Sequence, residues 1–146
     1  MSKLTFNRKP MPIYAEYRPL YKIAQIVFVL LLCSRGSKSS LIRLQLFNWA
    51  LKDVARHQVL IEASSNGKLD INVWGMDPSL NSAIQFAIAE GIIERNNNGV
   101  SLTEYGKKYT NSLLSDEGFE ELTIVLSEIG KGITESMITM VSDSWG

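Results

Sequence analysis

The sequence is poor in the residues on which disulfides, metal sites and nucleophilic catalysis depend. It holds one cysteine, Cys33, and one histidine, His57. A single cysteine closes no internal disulfide, which fits a reducing, cytoplasmic setting. A metal site needs several ligands and an activated nucleophile needs a neighbouring base, and neither Cys33 nor His57 has such a partner at a telling spacing. Glu117, Glu120 and Glu121 follow helical spacing beside an apolar stripe, the pattern of a solvated face. Gly130-Lys131-Gly132 lacks the preceding strand, the longer glycine spacing and the following Ser or Thr of a phosphate loop. The chain is therefore expected to be no enzyme, with no cofactor or metal of its own.

Charge of one sign is also missing. Fifteen Lys and Arg balance fifteen Asp and Glu, whereas a protein that grips phosphate over its whole surface is basic. The longest strongly apolar run, Ile26 to Cys33, spans eight residues, and a bilayer crossing takes roughly 20. It reads as a buried helix. The N-terminus lacks the apolar stretch and small residues of a signal peptide, so no membrane association is expected.

What is present suits one folded domain: 146 residues, 45% of them hydrophobic and 21% charged, enough to bury a core. Residues 1–18 contain Pro10, Pro12 and aromatics in irregular order and read as an extended arm. Pro19 opens a helix through about Cys33, apolar on nearly every side after Tyr21, which Ser34-Arg35-Gly36-Ser37 breaks. Ser39 or Ser40 caps a second helix, predicted to run unbroken from Leu41 to about Ile61. Its wet stripe is expected to be Gln45, Asn48, Lys52 and Arg56. Asn66-Gly67 is a turn, and the alternation Leu69, Ile71, Val73 predicts a strand over Lys68 to Trp74.

The segment from Asp77 to Ser112 is the most informative. Asp77-Pro78-Ser79 caps and starts a helix whose core face is Leu80, Ala83, Ile84, Ala87 and Ile88, and Gly91 closes it. Ile92 to Arg95 and Val100 to Leu102 flank Asn96-Asn97-Asn98-Gly99, the pattern of a hairpin, and the Lys68 to Trp74 strand is expected to pair with it. Thr103 starts another helix. Helix, hairpin, helix is the signature of a winged helix-turn-helix, giving an α+β, mostly α, fold over residues 19–115, with a C-terminal helical extension over residues 116–146.

A winged helix that reads DNA presents Arg, Lys, Asn or Gln opposite its core stripe. Here those positions are Asn81, Ser82, Gln85, Phe86 and Ala89, with Glu90 at the end, and no cation among them. The candidate DNA contacts lie elsewhere: Lys3, Arg8 and Lys9 in the arm, Lys52 and Arg56 in the second helix, Arg95 in the wing, and Lys107 and Lys108 beyond it. Phe86 either packs under the second helix or the segment from Asn66 to Trp74, or anchors a protein partner. Phe119, Leu122, Leu126 and Ile129 pose the same choice between core and docking stripe.

The stretch Tyr21 to Leu51, with Cys33-Ser34-Arg35-Gly36 and Leu46-Phe47-Asn48-Trp49-Ala50-Leu51 as its best marks, together with the winged segment ending at Leu114, resembles the middle component of bacterial ABC-three component systems. That group includes the small subunit of Lamassu-type anti-phage defence, and the resemblance covers roughly residues 14 to 140. It implies a non-enzymatic accessory subunit linking an SMC-like or Rad50-like ATPase to an effector, often a nuclease. ATP and magnesium would belong to that ATPase, and DNA contact to the assembled complex. A winged-helix DNA-binding transcriptional regulator is the competing reading.

Overall fold

Pro19 opens the first helix, α1 (Pro19–Leu32), in the computed structural model, which describes residues 19–145. Every residue from Ile23 to Leu30 is buried, so α1 is the axis on which the rest packs. Beyond the helix the chain turns through Arg35–Ser37, where Gly36 takes φ +64°, a left-handed conformation that favours glycine. A short strand, β1 (Lys38–Ser40), leads into α2 (Leu41–Leu51), capped by Ser40 Oγ accepting from the Arg43 amide.

The second helix of the sequence reading is two helices. Asp53 accepts from the Ala55 amide and starts α3 (Val54–Asn66) afresh, because an Asp side chain at that point competes for the main-chain donors that would have continued α2. Gly67, at φ +77°, closes α3.

The expected strand from Lys68 to Trp74 does not form. Leu69 and Trp74 are buried, but they pin a loop: the Trp74 indole donates to the Ile42 carbonyl at 3.2 Å and stacks edge-on against Trp145. The strand that joins the hairpin is β1, a Lys-Ser-Ser run with no apolar alternation to announce it.

α4 (Pro78–Ala89) follows, then β2 (Ile93–Arg95) and β3 (Gly99–Leu102), which pair antiparallel with Ile93 opposite Leu102. The hairpin turn is tied by Asn96, whose Oδ1 accepts from the amides of Asn98 and Gly99. The three strands lie in the order β1-β3-β2. α5 (Glu104–Leu113) is capped by Thr103, and α6 (Glu120–Ile129) and α7 (Glu135–Ser142) complete the chain. α6 packs against α1 and α3, and α7 against α2, so the C-terminal helices share the core with the elements before them. The molecule is thus mostly helical with a small antiparallel sheet. Among the described residues, no helix is long and apolar enough to cross a membrane.

Candidate protein interface on α4 and the charges around it

Asp77 positions α4. Its Oδ1 accepts from the Ser79 amide at 2.9 Å, and Pro78 occupies the first turn, where a missing N–H costs nothing. Leu80, Ala83, Ile84 and Ala87 face inward, and the helix packs on α1 and β2. Asn81, Ser82, Gln85, Phe86, Ala89 and Glu90 are all exposed. Phe86 is 54% exposed, so it packs under neither α2 nor the loop before α4. A phenyl ring is thus left exposed on a face that carries Ser82, Ala89 and Glu90 and no Lys or Arg.

Behind the N-terminus of α4 lies a polar cluster that the sequence did not announce. Asn48 Oδ1 accepts from Lys22 Nζ at 2.6 Å and from Gln25 Nε2 at 3.0 Å, while its Nδ2 donates to Asp77 Oδ2 at 3.1 Å. Lys52 Nζ pairs with the same carboxylate oxygen at 2.9 Å. Gln45 accepts from the Asp77 amide at 2.8 Å and donates to the Asp77 carbonyl and to Asn81. Gln45 and Asn48 are buried, so the first half of the stripe expected to face water is the seam that fixes α4 against α1 and α2, while Lys52 is exposed as expected and Arg56 half-buried on α3. Helical periodicity locates such a stripe but does not say which element will cover it.

Burial pushes the Asp77 carboxyl up, but hydrogen bonds from Lys52, Ser79 and Asn48 outweigh it and hold the group well below the usual carboxylate range. A carboxyl held below its unfolded value stabilises the fold above that value, and the contribution is lost as pH falls through the ordinary carboxylate range toward the folded one. Asp77→Ala is expected to cost about 3 kcal/mol at neutral pH, through the lost cap and the carboxylate removed from Lys22 and Lys52. Thermal melts should also show the variant losing less than the wild type between pH 6 and pH 3. Equal acid sensitivity of the two proteins would contradict this role.

Among the described residues, the candidate DNA-contact cations are spread over the end of α2, α3, β2 and α5. Lys52 is engaged with Asp77. The Arg56 guanidinium stacks 4.5 Å from the Trp49 ring centroid and donates to the Trp49 carbonyl. Lys107 lies 3.6 Å from Glu104 on α5, Lys108 is exposed one residue on, and Arg95 is exposed on β2. Lys3, Arg8 and Lys9 lie outside the described residues.

The docking reading of α6 is corrected by burial: Phe119, Leu122, Leu126 and Ile129 are all covered by the chain's own core. Phe119 meets Phe28 edge-on with centroids 5.5 Å apart and tilts against Tyr21 at 6.1 Å. Cys33 is fully buried beside this helix and donates its thiol to the Leu126 carbonyl. Burial, partly opposed by Arg43, pushes that thiol up to about 12, so it stays protonated and unreactive at neutral pH. Among the described residues no group of three or more His, Cys, Asp or Glu is placed to hold a metal ion. No protein-family model, no curated protein and no solved structure matches this chain.

Proposed function

We propose that this chain is a winged-helix adaptor that binds protein surfaces and carries no chemistry of its own. The element order and the strand order β1-β3-β2 support that reading: α4 takes the place of the groove-reading helix and the β2–β3 hairpin takes that of the wing. The observation that carries the function is the outer face of α4, which is exposed, free of Lys and Arg, and centred on Phe86. Such a face has nothing to neutralise a phosphate backbone, whereas an aromatic ringed by small residues concentrates binding energy in protein interfaces. Taken with the resemblance to the middle component of ABC-three component systems, the partners are an SMC-like or Rad50-like ATPase and its effector in anti-phage defence, in the cytoplasm. ATP and magnesium belong to that ATPase.

The test is co-purification of Phe86→Ala with the proposed partner ATPase. Loss of an anchor costs about 2 kcal/mol or more of binding, roughly thirtyfold, while an exposed side chain leaves stability within about 0.5 kcal/mol. The variant should therefore melt like the wild type and lose its partner. Unchanged retention of the ATPase, or a large drop in melting temperature, would refute the assignment of Phe86.

A further inference from the structure

A cleft of about 980 Å³ opens between the Asn96–Asn98 turn, Ser101 of β3, the Arg35–Ser40 stretch that ends in β1, and the start of α7. Arg35, Lys38, Arg43 and Lys131 line it, and Glu135 is the one carboxylate among the described lining residues. In a chain whose fifteen basic and fifteen acidic residues balance, four cations against one carboxylate in a single concavity is a strong local excess. A concave, polar wall focuses the field of such a cluster.

The four cations play two parts. Arg43 is buried, with its guanidinium donors spent on the Ile133 carbonyl, the Cys33 carbonyl and the hydroxyls of Ser34 and Ser39. With four of its five N–H donors so engaged, it acts mainly by supplying positive potential from the floor. Arg35, Lys38 and Lys131 are exposed and make no ion pair among the described residues. They remain available to a ligand.

We propose that this cleft binds an acidic peptide segment of a partner protein, a proposal that rests on the adaptor reading and names the chemistry of a second contact. Three observations choose a peptide over nucleic acid. Glu135 is held in the cleft by the Ser40 amide it accepts from at 2.9 Å, which repels a uniformly charged phosphate backbone but leaves room for a chain carrying its own amide donors. Among the described lining residues there is no aromatic ring, so they offer single-stranded bases no stacking platform. Apart from Ile133, the rest of its described lining is Ser, Thr and Asn, groups that pair with peptide N–H and C=O alike. The chain's own residues 1–18 carry Lys3, Arg8, Lys9 and Arg18 against Glu16, the wrong sign to fill the cleft, so the segment comes from another protein.

The test uses the full chain and a labelled peptide of alternating Glu and Gly, with a Ser-Gly peptide and short single- and double-stranded oligonucleotides as competitors. The acidic peptide should bind at low salt and weaken as salt rises, and the Arg35→Glu/Lys38→Glu/Lys131→Glu variant should bind about tenfold or more weakly with an unchanged melting temperature. If that variant melts early, Lys131→Glu alone should still lose about threefold. Equal binding of the neutral peptide, stronger binding of an oligonucleotide, or charge-dependent self-association in place of peptide binding would each overturn the proposal. Co-purification with the ATPase is scored in parallel. A silent peptide with the ATPase retained defeats the cleft alone, whereas loss of the ATPase from the wild-type chain defeats the adaptor reading.

Discussion

Gly106→Ala is expected to destabilise the protein by roughly 3 kcal/mol or more, although the same change in an ordinary helix interior gains about 1 kcal/mol. Gly106 lies in the first turn of α5, where a Cβ would stand 1.9 Å from the Ile92 carbonyl oxygen and 3.1 Å from a Leu102 methyl. That oxygen is not free to move, since it accepts from both the amide and the hydroxyl of Thr103. Thr103 is in turn the cap that receives the Gly106 amide. One added methyl group thus pushes apart the hairpin, the cap and the helix at their common junction. Chemical denaturation of the two proteins measures the effect. A neutral or stabilising Gly106→Ala would mean that α5 does not pack against the hairpin in this way.

Phe119→Ala is expected to cost about 4 kcal/mol, within the range for deleting a buried aromatic side chain. Phe119 is 1% exposed and fills the space between Phe28 and Tyr21 on α1, the most heavily buried helix of the molecule. The cavity left behind would lie against that axis, where the surrounding helices have little freedom to collapse. The contrast with Phe86→Ala separates the two aromatic residues that the sequence treats alike: Phe119 should govern folding and Phe86 should govern partner binding. A melting temperature unchanged by Phe119→Ala would return α6 to the list of docking elements.

The parts of the fold legible in the sequence were those written in local chemistry. Asp77-Pro78, the apolar stripe of α4, the Asn-Gly turn and Thr103 each form structure through neighbours within a few residues, and the structure places them as their spacing predicts. The exposed face of α4 was equally readable, because it is the complement of the apolar stripe. What failed depended on distant partners. The Lys68 to Trp74 alternation is real, but its buried side chains hold a loop, and the strand added to the hairpin is β1, on the β3 edge. Gln45 and Asn48 look like surface residues until Asp77, 32 and 29 positions away, supplies their hydrogen bonds. Phe119 to Ile129 is an apolar stripe whether it meets its own core or a partner's groove, and only packing decides. Arg35, Lys38, Arg43 and Lys131 come from separate elements, so no local pattern announces the basic cleft.

A catalytic role for Cys33 is disfavoured by the same packing that shields it, because a buried thiol pushed up to about 12 forms almost no thiolate at neutral pH. His57 lies at the start of α3 with its Nε2 buried and without a hydrogen-bond partner among the described residues. It belongs to no group of three or more His, Cys, Asp or Glu placed to hold a metal ion among the described residues.

The central claim is that the exposed face of α4 meets polypeptide and not phosphate. The most direct measurement is fluorescence anisotropy of the purified chain, without any companion subunit, against a duplex DNA titrated at low and at moderate salt. The adaptor reading predicts no submicromolar affinity at either salt concentration. Submicromolar binding that falls steeply as salt rises, the mark of counterion release from several phosphate contacts, would contradict it.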